Sequence, residues 1–307
     1  MRIASLIPSG TDLVAALGLG PYLVGVSHEC DHPEAAGFPV LTSSVIPPPT
    51  VDGPSISPIE IDAIVNESVA AGISLYRTDR ALLRQLAPDI IVSQDVCDVC
   101  AVNADDALAM MCDVAPGAQL VMLTATSIEG MYADLRRLGD ALGVPDRAME
   151  IVTAVAARIA TSSTASTEEP DAKSVLTLEW GEPPFLGGHW VPELVTMAGL
   201  SHVLTDAGSP SRRSTWEEIA SADPDMLVFC PCGYDLHQAA TEAKSLVERA
   251  DVRSLRAVRE GNFFAVDANR LFSRCTTNIA EAVEVLRALR ELGENGTPPV
   301  GALRISP

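Results

Sequence analysis

Cys97 and Cys100 stand three residues apart in the stretch SQDVCDVCAV, just after an apolar run. That spacing lets two thiolates converge on one ion, and it serves thiol–disulfide exchange equally well. A zinc or iron–sulfur site needs four ligands, so such a site would have to be completed from other loops. The segment HECDHPE offers His28, Glu29, Cys30, Asp31 and His32, and GEPPFLGGHW offers His189 and Trp190. FCPCG adds Cys230 and Cys232, and FSRC adds Ser273, Arg274 and Cys275. Soft thiolates select zinc, copper(I) or iron–sulfur over magnesium or calcium. Cysteine is also a small hydrophobe. Cys112, inside an expected helix, and Cys230, ending an apolar strand, read as core residues, and His202 and His237 as surface or capping residues.

These residues lie in loops that follow expected strands. RIASLI reads as a strand, TDLVAALGLG as a helix closed by glycine, and YLVGVS as a second strand. The proline-rich loop IPPPTVDGPS leads to a helix around IEIDAIVNESVAAG, then a helical turn ALLRQLA and a strand PDIIVSQ. NADDALAMMCDVA reads as a helix and QLVMLT as a strand. The second half repeats the scheme: KSVLTLEW is a strand, VPELVTMAGL a glycine-closed helix, HVLTDA a short strand and WEEIASA a helix. PDMLVFC and NFFAVD are strands, and IAEAVEVLRALREL is an amphipathic helix. Strands separated by such helices pair in parallel with right-handed crossovers. LLRQLAPDIIVSQDVC and WEEIASADPDMLVFCPC form the best internal match. Between the halves, Thr126 and Glu129 have capping-box spacing before a long apolar periodicity that Gly143 and Pro145 should interrupt. The polar run TSSTASTEEPD then connects into the second half. The expectation is an α/β fold of two Rossmann-like lobes, residues 1–125 and 173–307, joined by a bridging helix and linker over 126–172.

Composition narrows the function. The 307 residues allow two domains, and 47% hydrophobic content supplies ample core. Net charge is −20 and the only lysines are Lys173 and Lys244, so nucleic acid and anionic membrane surfaces are poor partners. No segment approaches the ~20 apolar residues of a membrane span. MRIASLIPSG resembles no secretory leader, so the expected location is cytoplasmic, where seven cysteines serve as thiols or ligands. Neither GxxxxGK[ST] nor a GxGxxG after a strand occurs, nor GxSxG, so nothing supports a kinase or hydrolase. In open parallel sheets, ligands bind beyond the carboxyl ends of the strands. Trp180 and Trp190 near such ends, in a chain with 4% aromatics, would form a platform for a flat ligand.

The chain also resembles a known family. Its IASLIPSGTD, HECD, CDVCAV, GHWVPELV, DPDMLVFCPCG and FSR segments are similar to those of cobalamin-binding or iron-chelate-binding substrate-binding proteins of ABC transporters, and the resemblance covers nearly the whole chain. It implies the class III periplasmic-binding-protein architecture: two rigid lobes, one long bridging helix, and ligand held in the inter-lobe cleft with little closure. This chain departs from that branch in lacking an export signal, so an ABC permease is not an expected partner, and in following Arg274 with Cys275, Thr276 and Thr277 instead of proline and glycine.

Two functions follow. In the first, a cytosolic protein binds a corrinoid such as cobalamin, or a related metal-chelate. Trp180, Phe185 and Trp190 bear the macrocycle. Ser9, Thr11, Glu179, His189 and Arg274 meet polar groups, and His28 or a cysteine approaches the metal. In the second, His28, Cys30, Cys97, Cys100 and Cys232, with His189 in reserve, hold zinc or an iron–sulfur cluster in a metalloenzyme or metal-binding protein.

Overall fold

The computed structural model describes residues 1–46, 56–71, 73–96, 113–161, 172–293 and 295–306. The chain divides into two compact units, Met1–Ala125 with Glu129–Thr153, and Thr126–Ile128 with Ala154–Pro307. Residues 47–55 of the expected loop, 162–171 of the polar run and 103–112 of the expected helix fall outside the described residues, as do Cys97, Cys100 and Cys112.

In the first unit the strands are β1 (Ile3–Ser5), β2 (Leu23–Gly25), β3 (Thr42–Ser44), β4 (Tyr76–Thr78), β5 (Ile90–Gln94) and β6 (Gln119–Leu123). Four form a sheet in the order β2-β1-β5-β6, every neighbour parallel. Ile3, Ala4, Ile91 and Val92 are fully buried, as strands covered on both faces require. The antiparallel pair β3–β4 was not foreseen, because TSS and YRT carry no apolar run to betray a strand.

In the second unit the strands are β7 (Ser174–Gly181), β8 (Pro184–Leu186), β9 (Ser201–His202), β10 (Arg212–Arg213), β11 (Met226–Phe229), β12 (Phe263–Val266) and β13 (Ala302–Arg304). They run β10-β8-β7-β11-β12-β13, with β9 also on β7. The pairs β7–β11, β11–β12 and β7–β9 are parallel. Three antiparallel strands, β8, β10 and β13, modify the all-parallel expectation. HVLTDA is a strand only at Ser201–His202, after which the chain leaves the sheet. The helix Leu236–Glu248 was not anticipated, although Asp235 and Gln238 form a capping box at its start and Ala239, Ala240, Ala243, Leu246 and Val247 make its buried face.

The internal repeat proves physically detailed. Arg80–Leu86 and Trp216–Ala222 are helices of 7 residues, capped by Asp79 and Thr215 side chains. Each stops on a left-handed residue, Ala87 at φ 42° and Asp223 at φ 43°, because the following proline disfavours helical backbone before it. The aspartate after each proline then accepts the N–H that opens the neighbouring strand: Arg2 N to Asp89 Oδ2 and Ser174 N to Asp225 Oδ2, both 2.8 Å.

Between β6 and β7 in the chain come two helices, Ile128–Ala141 and Pro145–Thr161, separated at Gly143 as expected. The second begins in one unit and ends in the other. The Thr126–Glu129 capping box is corrected by one residue. The helix begins at Ile128, the Ile128 N–H goes to Glu193 Oε2 at 2.8 Å, and Glu129 turns to Arg136 at 3.1 Å. Buried Asp134 accepts N–H groups of Thr124 at 2.7 Å and Ala125 at 2.9 Å, tying this helix to the end of β6.

Candidate functional site

Each unit carries its polar and aromatic groups at strand carboxyl ends. In the first unit, β1 leads straight into the helix Pro8–Ala16, with Pro8 at its first turn. Ser9 is half-buried there, and Thr11, on the same helix, is fully buried. Thr11 Oγ1 lies 3.0 Å from Cys30 Sγ on the loop after β2. On that loop, His28 is fixed at both ends of its backbone-to-ring span: its N–H donates to Thr42 Oγ1 at 3.0 Å, and its Nδ1 shares a hydrogen bond with the same hydroxyl at 2.7 Å. Thr42 in turn donates to Ser27 Oγ at 3.2 Å. His28 Nε2 lies 3.2 Å from Glu29 Oε1, at ion-pair distance but out of line for a hydrogen bond. Its ring tilts against Tyr76 at 5.6 Å.

The segment 28–32 spells His-Glu-x-x-His. That pattern holds zinc only on a helix, which brings both histidines to one face. Here His28 and Glu29 form a turn and residues 30–32 are irregular, with Cys30 N bonded to Ser27 O and His32 Nδ1 accepting from Glu34 N. The two histidines have separate partners. Among the described residues, no three His, Cys, Asp or Glu side chains converge to hold a metal ion. Of the five expected metal ligands, His28 and Cys30 share one loop and Cys232 is an exposed residue of the second unit, while Cys97 and Cys100 lie outside the described residues.

The second unit gathers more of the expected ligand residues. β7 does not end before the GEPPF loop. It continues to Gly181 and folds back as β8, which makes Trp180 and Phe185 cross-strand partners. Trp180 meets Tyr234 edge-on, with ring centroids 5.5 Å apart at 74°. Tyr234 was missed because it sits in the polar loop after β11, with no pattern to mark it. Its backbone carbonyl accepts from Asn269 N at 2.8 Å, and Asn269 Oδ1 accepts from Arg274 Nη2 at 2.8 Å. Arg274 is 7% exposed, so its guanidinium is a held, buried charge and not a free surface cation. Glu179 Oε1 accepts the Gly188 N–H at 3.3 Å. The double glycine is required by close approach: a Cβ at Gly187 would stand 2.2 Å from Thr177 Oγ1, and one at Gly188 2.3 Å from Ser211 N.

His189 follows with a left-handed φ of 52° and its N–H on Ser209 O at 2.6 Å. Burial lowers its basicity below the ordinary histidine value. Its ring lies 5.9 Å from that of Trp190, whose Nε1 donates to Phe272 O at 3.0 Å. Cys230 is a core residue, as expected, and burial pushes its thiol well up. Cys275 is buried as well. His202 is no surface residue. Its Nε2 meets Thr177 Oγ1 at 2.8 Å and its Nδ1 faces Thr205 O at 3.1 Å, and burial lowers its pKa to about 4.

Among the described residues, no helix is long and apolar enough to cross a membrane. No curated protein matches the chain. Solved structures do. A periplasmic heme-binding protein from Pseudomonas aeruginosa superimposes with a TM-score of 0.70 at 19% identity, covering 100% of this chain and 98% of its own. A possible iron-binding, periplasmic solute-binding protein from Staphylococcus epidermidis gives 0.69 at 17%, covering 94% and 97%. The periplasmic vitamin B12 binding protein BtuF of Vibrio cholerae gives 0.64 at 19%, covering 94% and 96%. The periplasmic binding protein family matches residues 3–269, from β1 to the short helix Ala268–Leu271 after β12. With two α/β units, strand-end polar and aromatic groups and a match over most of its length, the chain belongs to the periplasmic binding protein family.

Proposed function

We propose that this protein binds a corrinoid, or a closely related metal-chelate, and delivers or buffers it without transforming it. The observation that carries this is the strand-end cluster of the second unit. The aromatic faces of Trp180, Phe185 and Trp190 are fixed by a hairpin and by the Trp190–Phe272 hydrogen bond, beside the Glu179 carboxylate and the buried Arg274 guanidinium. Wide apolar faces with a few placed polar groups suit a large flat ligand with polar rim substituents. The vitamin B12 and heme binding of its structural relatives supports the same class. His28, with one nitrogen held by Thr42, is the first-unit residue that would offer an imidazole to a chelated metal.

The test is titration of the purified protein with hydroxocobalamin and, separately, hemin, followed by visible absorbance and calorimetry. Saturable one-to-one binding of hydroxocobalamin, tighter than hemin, supports the corrinoid. Hemin binding tighter than cobalamin redirects the proposal to porphyrins. Binding of neither, with stoichiometric zinc or iron lost on replacing Cys97 and Cys100 by serine, sinks it in favour of the thiolate metal site.

A further inference from the structure

One buried hydroxyl in the first unit decides which ring nitrogen of His28 is bare. A parallel bridge between Val26 and Val40 runs the loop after β2 alongside the chain entering β3, with the Leu41 N–H on Val26 O at 2.8 Å. That pairing sets Ser27 and His28 against Thr42, and Ser27 and Thr42 are only 4% and 6% exposed. A hydroxyl has one proton to give and two lone pairs to fill. Thr42 gives its proton to Ser27 Oγ at 3.2 Å, and one lone pair takes the His28 N–H at 3.0 Å. Only the second lone pair is left for His28 Nδ1 at 2.7 Å, so Nδ1 must carry a proton. Ser27 Oγ also receives the Glu29 N–H at 3.3 Å, so it acts as the acceptor in this chain. The other ring nitrogen, Nε2, is buried and makes no hydrogen bond.

We propose that Thr42 and Ser27 are positioning residues that hold His28 with its proton on Nδ1, and so dedicate the Nε2 lone pair to the metal of a chelate that keeps an exchangeable axial position. This rests on the metal-chelate reading above and narrows it, because a chelate with both axial positions closed gains nothing from His28. In the step itself the Nε2–metal bond forms, the metal–water bond breaks and the water leaves, with no change of oxidation state. A histidine that ligates metal through one nitrogen ordinarily donates the N–H of the other to an oxygen, which fixes ring and tautomer and raises the basicity of the ligating nitrogen. Thr42 supplies that oxygen, and its donation to Ser27 blocks the opposite tautomer. The Tyr76 ring, tilted against the imidazole at 5.6 Å, packs beside it. Among the described residues no three His, Cys, Asp or Glu side chains converge, so the metal must bring its other ligands with it. A macrocycle that already fills the equatorial positions meets that requirement.

The experiment first labels the full chain with ring-15N histidine and records two-bond nitrogen–proton correlations without ligand, above the ordinary histidine pKa. These correlations tell the two neutral tautomers apart for each of the 5 histidines, and His28→Gln assigns His28. The expected result is the Nδ1–H form in the parent and in Thr42→Ser, which keeps the hydroxyl. That single form is lost in Thr42→Val, and in Ser27→Ala, where the Thr42 proton becomes free to turn to Nδ1. A merely structural Ser27–Thr42 pair would lower the melting temperature of Ser27→Ala and leave the tautomer unchanged. An Nε2–H form in the parent, or an unchanged tautomer in Ser27→Ala, overturns the proposal.

Visible absorbance then follows titration with hydroxocobalamin and hemin, which keep an exchangeable axial ligand, and with cyanocobalamin, whose cyanide resists exchange. The expected result is the spectral change of nitrogen replacing water with hydroxocobalamin or hemin, absent with cyanocobalamin and lost in His28→Gln. Affinity falls by about 10–100-fold in Thr42→Val and returns in Thr42→Ser. Binding without that spectral change, equally tight in His28→Gln, overturns the metal-donor role while the binding reading stands. Binding of none of the three probes, with the Nδ1–H form intact, overturns the metal-donor role together with the binding reading and leaves only the tautomer lock.

Discussion

Trp180 and Tyr234 meet edge to face at 5.5 Å, with their planes 74° apart, although they are 54 residues apart in the chain (234 − 180). Edge-on aromatic pairs contribute about 0.5–1.5 kcal/mol beyond the area they bury. Here the contact holds one side of the indole, and Phe185 faces Trp180 across the hairpin. Trp180→Ala should weaken hydroxocobalamin binding by about tenfold or more, about 1.4 kcal/mol. Because Trp180 is only half-buried, its melting temperature should fall little. An unchanged dissociation constant by calorimetry would remove Trp180 from the binding surface.

His202 predicts a pH dependence of stability. Burial holds its folded-state pKa at about 4, against 6.5 ordinarily. A depressed histidine contributes stability that is present above pH 6.5 and lost as pH falls toward about 4. A shift of that size corresponds to roughly 3 kcal/mol at most. Urea unfolding at intervals across this window should show the parent losing stability, and His202→Gln should flatten the curve. An equal slope in both would show that other groups drive the acid transition.

The two aspartates after the Pro-Asp breaks should differ in weight. Burial pushes the Asp225 carboxyl up, but the hydrogen bonds from Ser174 and Arg256 outweigh it and hold it below the usual value. Asp89 makes the equivalent bond to Arg2 N with a side chain 60% exposed. Asp225→Ala should cost about 1–3 kcal/mol, the range for losing a charged acceptor of buried backbone, and Asp89→Ala clearly less. Chemical denaturation of the two variants side by side checks the order, and equal or reversed costs would contradict this reading.

Asp134 carries a larger load. It is 2% exposed and receives two backbone N–H groups, with Arg137 on its other oxygen. Asp134→Ala leaves both N–H groups and the guanidinium without their acceptor, for a loss of roughly 2–4 kcal/mol. Asp134→Asn, which keeps one acceptor oxygen, should recover part of it. Equal melting temperatures for parent and Asp134→Ala would contradict this reading.

Much of the fold was legible in the residues. Apolar runs such as IIVSQ and MLVF, each preceded by Pro-Asp and a short capped helix, locate buried parallel strands because local sterics and hydrophobicity act along the chain. The strand-end position of the chemistry-bearing loops follows from the same alternation. The sequence by itself determined the α/β class, the doubled architecture and the glycine-closed helices. Tertiary structure alone decided what is set by partners distant in the chain. β3, β8, β10 and β13 are short edge or hairpin strands held by their neighbours, with little periodicity of their own. His202 became a half-buried neutral histidine because Thr177, 25 residues away, reaches its ring. HECDH gained a turn in place of a zinc-holding helix because Thr42 holds His28. Tyr234 entered the candidate site because the loop after β11 brings its ring against Trp180, and a contact across such distance leaves no trace in residue spacing.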